Sequence, residues 1–357
     1  MDEDKNTDKS VDREDRPDVT TADKNSSKRG LLLLIMLVLV IAVVAFLTVG
    51  FIRSLRGDGA DGKSSKETKK ALKEIKKVGT LEVKLPGGGV MTMIEVKAPV
   101  PKPGEAVGSF EMSRKDDANW SDEKPHNVEF KNDFYIGKTE VTQAQWKAVM
   151  GVRKNGDEAG KEKNSHFRGD DRPVERVSWN EALAFCEKLN SLKLAPEGYK
   201  FTLPTEAQWE YAAAGGVEKR NCKYSGSDEL DEIGWYGDSG KGKGKDKDKN
   251  VAQIKGETHP VAGKKPNELG IYDMSGNVWE WTIDDYSGDS SKTKAEERLV
   301  ISDSSKGQTI FCQYRSVRGG SWSKGARYCR VAARSYYSTN SRYNFLGFRV
   351  ALVKVKK

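Results

Sequence analysis

The chain has 357 residues and a net charge of +8, with 36% hydrophobic and 32% charged side chains. This length accommodates an anchor, a linker and one large domain. The lysines are spread over linkers and a loop and form no basic motif interleaved with aromatic residues, which argues against nucleic acid as a partner. Four cysteines in a chain of this length do not make a disulfide scaffold.

Three segments are predicted before the folded domain. Residues 1–30 are highly charged and poor in apolar side chains, which predicts a disordered tail. Residues 31–52 carry no charge, and a helix of that length spans about 33 Å, enough to cross a bilayer. Residues 53–78 are rich in glycine, serine and lysine and predict a linker or stalk. Basic residues flank the span on both sides, so the positive-inside rule leaves its orientation open.

The folded domain is predicted for residues 79–353, followed by a short tail at 354–357. It opens with two strands, Leu81–Leu85 and Val90–Val96, in which apolar and polar side chains alternate on either side of a glycine turn. The stretch from Asn127 to Tyr135 continues in strands.

Three capping boxes then predict three helix starts, because each pairs a hydroxyl side chain with a glutamine or glutamate three residues later. The pairs are Thr142 with Gln145, Ser178 with Glu181, and Thr205 with Gln208. From residue 216 onward regular elements are expected to be sparse, with an exposed insertion at 240–250 and a second polar stretch within 282–313.

Several blocks of the domain resemble one known family. They are Phe134–Thr142, Arg172–Trp179, Leu203–Tyr211, Gly270–Trp281, Arg318–Trp322, Cys329–Arg334 and Leu346–Val350. Together they are similar to the sulfatase-modifying-factor family, which has the fold of the formylglycine-generating enzyme. The resemblance implies an α+β domain, related to C-type lectins, with little regular secondary structure. Fold alone does not fix function, so the site residues decide what the domain does.

The resemblance also shows what this chain lacks. The family's oxidases hold copper(I) with a pair of cysteines between the Gly-Gly-Ser and Ala-Ala-Arg blocks. This chain has residues 323–328 there, without a cysteine, and only Cys329 nearby. A single thiolate is a poor two-coordinate site for a soft ion, so neither copper nor a catalytic residue is expected. Trp279, Ser321 and Cys329 are then remnants of the active-site cleft. Two roles stay open for Cys329. In the first it takes part in an altered oxidase mechanism; in the second it is a structural cysteine that is either buried as a thiol or bridged to Cys312.

A second catalytic branch of the superfamily uses iron held by histidines and a helical companion domain. This chain has three histidines, His126, His166 and His259, and they lie far apart in the sequence. None of them falls in a paired helical spacing, and we expect them to be separate loop residues.

A calcium site is predicted within the block Gly270–Trp281. The resemblance implies that Asp273 and Glu280 supply side-chain oxygens, and that Gly276 and Val278 supply carbonyl oxygens. Calcium prefers six to eight such hard oxygen ligands, which a short irregular loop can provide. The alternative is that the two carboxylates only cap neighbouring backbone amides.

A recognition surface is predicted near the C-terminus, where tyrosine, serine and asparagine are concentrated. Such side chains provide a large contact area at low entropic cost. The family uses this stretch as one wall of its cleft, and its composition is similar to that of the variable ligand-binding proteins that some bacterial retroelements diversify. The candidate ligand-binding residues are Trp322, Arg327, Tyr328, Tyr337, Asn340, Arg342, Tyr343 and Asn344. Tyr336 and Phe345 are as well explained by packing under loops.

These observations predict a membrane-anchored, calcium-stabilised domain that recognises a peptide, a protein or another macromolecule. The first alternative is a formylglycine-generating oxidoreductase that acts on a protein cysteine. The second is a structural subunit of a cell-envelope complex. Because the family usually works beyond the cytoplasmic membrane, we expect an inner-membrane protein with its C-terminal domain outside the cytoplasm.

Overall fold

The computed structural model describes residues 79–113, 121–151, 165–237, 256–288 and 314–355. The predicted tail at 1–30, the span at 31–52 and the stalk at 53–78 lie outside the described residues, as do the loop at 240–250, most of the loop at 282–313, and Cys312. Within the described ranges, the helices are too short or too polar to cross a membrane. The folded domain is treated below by itself.

The described residues form an α+β domain, as the sequence predicts. Its strands are β1 Thr80–Lys84, β2 Val90–Val96, β3 Gly108–Met112, β4 His126–Phe130, β5 Phe134–Gly137, β6 Tyr199–Thr202, β7 Trp279–Asp285, β8 Tyr314–Arg318, β9 Arg334–Ser338, β10 Leu346–Gly347 and β11 Ala351–Lys354. Its α-helices are α1 Gln143–Met150, α2 Trp179–Ser191, α3 Glu206–Ala213 and α4 Leu230–Ile233.

Two sheets organise the domain, and a β3–β4 hairpin accompanies them. The five-stranded sheet has the order β1-β2-β5-β11-β6 and brings the C-terminal strand into its interior. Ala351 of β11 pairs with Ile136 on one side and Thr202 on the other. The four-stranded sheet has the order β10-β7-β8-β9, in which β10 runs parallel to β7.

The five-stranded sheet is buried on both faces. In β2, Met91 and Met93 belong to one apolar cluster, whereas Ile94 and Val96 belong to another. Successive strand side chains point to opposite faces, so this alternation places one cluster on each side of the sheet.

All three predicted capping boxes are present. At each helix start the hydroxyl accepts the N–H of the residue three positions later, and that residue's side chain accepts the N–H of the capping residue. Each box satisfies two backbone donors that the first turn would otherwise leave without a partner. The prediction is therefore confirmed at α1, α2 and α3.

The expectation of sparse regular structure after residue 216 is wrong for the C-terminal part. Five strands, β7 to β11, lie between Trp279 and Lys354. Strand β7 is buried continuously from Trp279 to Asp284, so its sequence lacks the apolar–polar alternation of a half-exposed strand.

Buried ion pairs attach the C-terminal segments to the rest of the domain. Four arginines each contact a glutamate from another element: Arg318 with Glu210, Arg330 with Glu123, Arg334 with Glu206, and Arg349 with Glu280. Burial alone would raise the pKa of the Glu206 carboxyl, but Arg334 and then Arg318 hold it below its usual value. These contacts fix β8, β9 and the segment before β11, and β9 contributes to the candidate site.

Candidate functional site

Four aromatic rings lie together at the end of the four-stranded sheet, and we call them the aromatic face: Tyr328, Tyr337, Tyr343 and Phe345. The Tyr343 and Phe345 rings are stacked with centroids 5.0 Å apart. The Tyr337 ring lies 5.2 Å from Tyr343 and 5.9 Å from Phe345. Tyr328 joins them through Lys324, whose Nζ atom lies 5.7 Å from the Tyr328 centroid and 6.0 Å from that of Phe345.

Backbone hydrogen bonds hold the loop that presents the face. The Tyr343 carbonyl accepts the Arg176 N–H at 3.0 Å, and the Phe345 carbonyl accepts the Trp279 N–H at 2.8 Å. Trp322 adds a third contact, because its indole N–H donates to the Asn344 carbonyl at 3.0 Å. The loop between β9 and β10 is therefore fixed at its backbone, and its Phe345 ring packs partly against the apolar core. Tyr343 remains 43% exposed.

The face offers phenol hydroxyls as hydrogen-bond donors. Burial, and then the neighbouring Tyr343 and Tyr328, raises the pKa of Tyr337 above its ordinary value, so its hydroxyl is protonated at neutral pH. The described residues give the Tyr337 and Tyr343 hydroxyls no hydrogen-bond partner. Arg327 donates to the Tyr328 hydroxyl at 2.8 Å and also lies over its ring, with the guanidinium carbon 4.6 Å from the centroid.

Two more predicted binding residues lie towards helix α2. Arg342 donates through Nε to the Glu181 carboxylate at 3.0 Å and through a second nitrogen to the Asn340 carbonyl at 3.1 Å. The Asn340 side chain in turn accepts from Asn180 at 3.3 Å. Arg342 and Asn340 therefore tie the loop to α2.

The residues that the family resemblance assigns to a catalytic cleft are enclosed. Trp279, Ser321 and Cys329 are each at most 1% exposed. Burial raises the pKa of the Cys329 thiol to about 12, so this sulfur is a neutral thiol near pH 7. A Cβ atom added at Gly320 would lie 2.6 Å from the Cys329 sulfur, which shows how closely the backbone covers it. Cys329 is unbridged, and Trp279 lies in the apolar core.

Sequence reasoning missed part of the surroundings of the site. Phe167 packs edge-on against Trp322 with centroids 5.2 Å apart, although these residues are distant in the chain. Lys324 was also missed, although it lies within the block that replaces the cysteine pair. Strand alternation separates the neighbouring tyrosines: Tyr337 contributes to the aromatic face, whereas Tyr336 stacks on Tyr286 at 4.3 Å.

The predicted calcium loop contains an excess of buried negative charge. Glu140, Asp273 and Glu280 are all buried, and Arg349 is the cation that contacts Glu280, at 2.6 Å. Burial, followed by repulsion from Asp273 and Glu280, raises the pKa of Glu140 well above its ordinary value, and burial raises that of Asp273 to about 6. A bound cation would offset this charge.

The individual oxygen atoms show which residues fit a calcium ion. Asp273 Oδ1 is buried without a hydrogen-bond partner, whereas Oδ2 accepts the Ala262 N–H at 2.7 Å. Both Glu280 oxygens accept from Arg349, and Oε2 also accepts from Trp209. Asp273 therefore fits an ion, with the Gly276 and Val278 carbonyls as the other implied ligands, and Glu280 has only its remaining lone pairs to offer.

The histidines have separate partners in the structure. His126 Nδ1 lies 2.8 Å from the Lys124 carbonyl, His166 contacts Arg176, and His259 stacks on Trp235 at 3.8 Å. Among the described residues, histidine, cysteine, aspartate and glutamate side chains form no group of three that could hold a metal.

The fold and the site together define an α+β domain of the formylglycine-generating-enzyme type that carries an aromatic face. Residues 104–354 match the family model described as "Sulfatase-modifying factor enzyme 1-like domain". The match covers more than half of the chain, and the chain belongs to this family.

Similar proteins include both enzymes and proteins of other descriptions. A protein of Paenibacillus barcinonensis described as "Chaperone protein LppX" is 38% identical over 49% of this chain and 68% of its own length. The formylglycine-generating enzyme of Streptomyces coelicolor is 35% identical over 50% of this chain and 52% of its own. The match thus spans about half of that enzyme. The structure of Treponema denticola variable protein 1 is 27% identical with a TM-score of 0.53, covering 77% of this chain and 98% of its own.

Proposed function

We propose that this family member is a recognition domain that binds a peptide or protein ligand on its aromatic face and does not generate formylglycine. The single observation that supports the proposal most strongly is the state of Cys329. Its thiol is enclosed, and burial raises its pKa to about 12, so the nearest sulfur to the family's catalytic position is protonated and inaccessible. Copper(I) needs thiolate ligands, and this thiol is a poor one.

The aromatic face supports the recognition half of the proposal. Tyr343 and Phe345 lie on a loop that three long-range hydrogen bonds hold in place, and Tyr337 lies in strand β9, so binding orders little additional backbone. Preorganised aromatic residues at the surface are typical of the residues that contribute most to protein–protein affinity.

Two further parts of the proposal concern where the domain works. Residues 31–52 anchor it in the cytoplasmic membrane, with the folded domain outside the cytoplasm; the uncharged composition of this segment supports the anchor. Calcium stabilises the loop around Asp273; the unpartnered oxygen of that side chain supports the ion.

Peptide selection from a random phage library tests the recognition role. We expect enriched sequences on the wild-type protein and no enrichment on the Tyr337→Ser/Tyr343→Ser double variant, because the double variant removes two of the four rings. Tyr336→Ser is the matched control, since Tyr336 is 46% exposed but packs against Tyr286. Equal melting temperatures establish that the variants are folded. The absence of enrichment on the wild type, or enrichment that survives in the double variant, would contradict the proposal.

A further inference from the structure

The C-terminal part of the chain contains no acidic residue. From Ser304 to Lys357 the sequence has neither aspartate nor glutamate, although it contains many lysines and arginines. Every side-chain carboxylate that neutralises this segment must therefore come from another part of the fold or from a partner.

The fold supplies carboxylates to most of the arginines of this segment. Arg318, Arg330, Arg334 and Arg349 are in buried pairs, Arg315 contacts Asp285 at 2.6 Å, and Arg342 contacts Glu181 at 3.0 Å. Lys324 differs from these arginines. It contacts the rings of Tyr328 and Phe345, and no described carboxylate lies within ion-pair distance of its ammonium group.

Lys324 lies beside the aromatic face. Its ammonium group and the Tyr337 and Tyr343 hydroxyls offer N–H or O–H groups. The Glu181 carboxylate, which reaches the same loop, is occupied by Arg342. A complementary ligand therefore brings acceptor oxygens with negative charge, together with an apolar group that can contact the rings.

We infer that the aromatic face binds an acidic peptide segment in which an aromatic side chain is flanked by aspartate or glutamate. The aromatic side chain packs on Tyr343 and Phe345, and the carboxylates contact Lys324 and the tyrosine hydroxyls. This inference rests on the proposed recognition function and adds the chemical class of its ligand.

Fluorescence anisotropy of the full chain with labelled synthetic peptides tests the inference. The probe has a Gly-Ser frame around Glu-Glu-Tyr-Glu-Glu, and its analogues replace the glutamates by glutamine or by lysine. We expect the acidic peptide to bind roughly tenfold more tightly than the glutamine peptide, since each exposed ion pair contributes only modestly. Raising the salt from about 0.05 M to about 0.5 M should narrow this difference, because salt screens exposed charges.

Two lysine variants locate the effect. Lys324→Gln should weaken binding of the acidic peptide about threefold and leave the affinity for the glutamine peptide unchanged. Lys84→Gln is the matched control, because Lys84 is an exposed lysine in β1 outside the aromatic face. Tyr343→Phe removes a hydroxyl and keeps the ring. It should therefore weaken binding of the acidic peptide more than binding of the glutamine peptide.

The outcomes separate this inference from the proposed function. If no acidic preference is found but library peptides still require Tyr337 and Tyr343, the ligand class is wrong and the recognition role stands. Equal losses in Lys324→Gln and Lys84→Gln would mean non-specific charge attraction and would overturn the inference. Tighter binding of an oligothymidine of equal charge would also overturn it, in favour of a nucleic-acid ligand.

Discussion

The ion pair between Arg334 and Glu206 provides the sharpest test of how the fold supports the aromatic face. Arg334 Nε lies 2.6 Å from one Glu206 oxygen and a second nitrogen lies 2.9 Å from the other, and the two side chains are 0% and 2% exposed. Arg334→Met removes the cation and leaves the carboxylate buried. Removing one partner of such a pair costs about 3–5 kcal/mol, and we expect this loss in the free energy of unfolding at pH 7.5.

The pH dependence of this loss follows from the pKa of Glu206. In the wild type Arg334 and Arg318 hold this pKa below its usual value, so the stabilisation is complete above the unfolded pKa of about 4.3 and is lost only as the pH falls through the lower folded value. In the variant, burial is less well opposed and the folded pKa rises. Protonation then relieves the buried negative charge that Arg318 alone offsets less well, so the difference between variant and wild type should be smaller at pH 5 than at pH 7.5.

Urea denaturation followed by circular dichroism at the two pH values measures both effects. Arg342→Met is the matched control, since its pair with Glu181 has side chains 38% and 28% exposed. An exposed pair of this kind contributes less than about 1 kcal/mol. A loss of less than about 1 kcal/mol in Arg334→Met, or a loss that does not change with pH, would refute the claim that this pair fixes β9.

Three further predictions concern the Cys329 thiol, the calcium loop around Asp273, and the close approach of the Gly320 backbone to Cys329. Iodoacetamide at pH 8 should leave Cys329 unmodified in the folded protein and label it in urea, as read by peptide mass spectrometry; labelling of the folded protein would contradict the enclosed, protonated thiol. Calcium chelation should lower the melting temperature by about 2–4 °C for each kcal/mol of lost binding free energy, and Asp273→Asn should abolish this response; an unchanged wild-type melt would count against the ion. Gly320→Ala should lower the melting temperature even when combined with Cys329→Ala, because the glycine φ of 75° disfavours any side chain; full rescue by the second substitution would refute this cause.

Local signals predicted the first half of the domain well. The capping boxes at Thr142, Ser178 and Thr205 depend on residues only three positions apart, and all three helices begin where these pairs lie. Alternation likewise predicted β1 and β2, where neighbouring side chains have different burial. Elements of this kind are specified by their own sequence, so no knowledge of the tertiary structure was needed.

The remaining features depend on contacts between distant residues. Strand β7 is buried on both faces and shows no periodicity. Arg349 and Glu280 are 69 residues apart, and Arg330 and Glu123 are 207 residues apart, so no local pattern connects the partners. The tyrosines of the aromatic face were identified from composition, but Lys324 was not, because its relation to two rings exists only after the loop has folded.

Mass spectrometry of a cysteine-containing sulfatase peptide, incubated with the protein, copper and a reductant in air, tests the central claim most directly. The formylglycine-generating enzyme of Streptomyces coelicolor serves as the positive control. If the domain binds peptides and does not oxidise them, the cysteine of the sulfatase peptide stays unmodified. The same protein preparation still binds the peptides selected from the library. Conversion of that cysteine to an aldehyde by the wild-type protein, but not by its Cys329→Ala variant, would contradict the account.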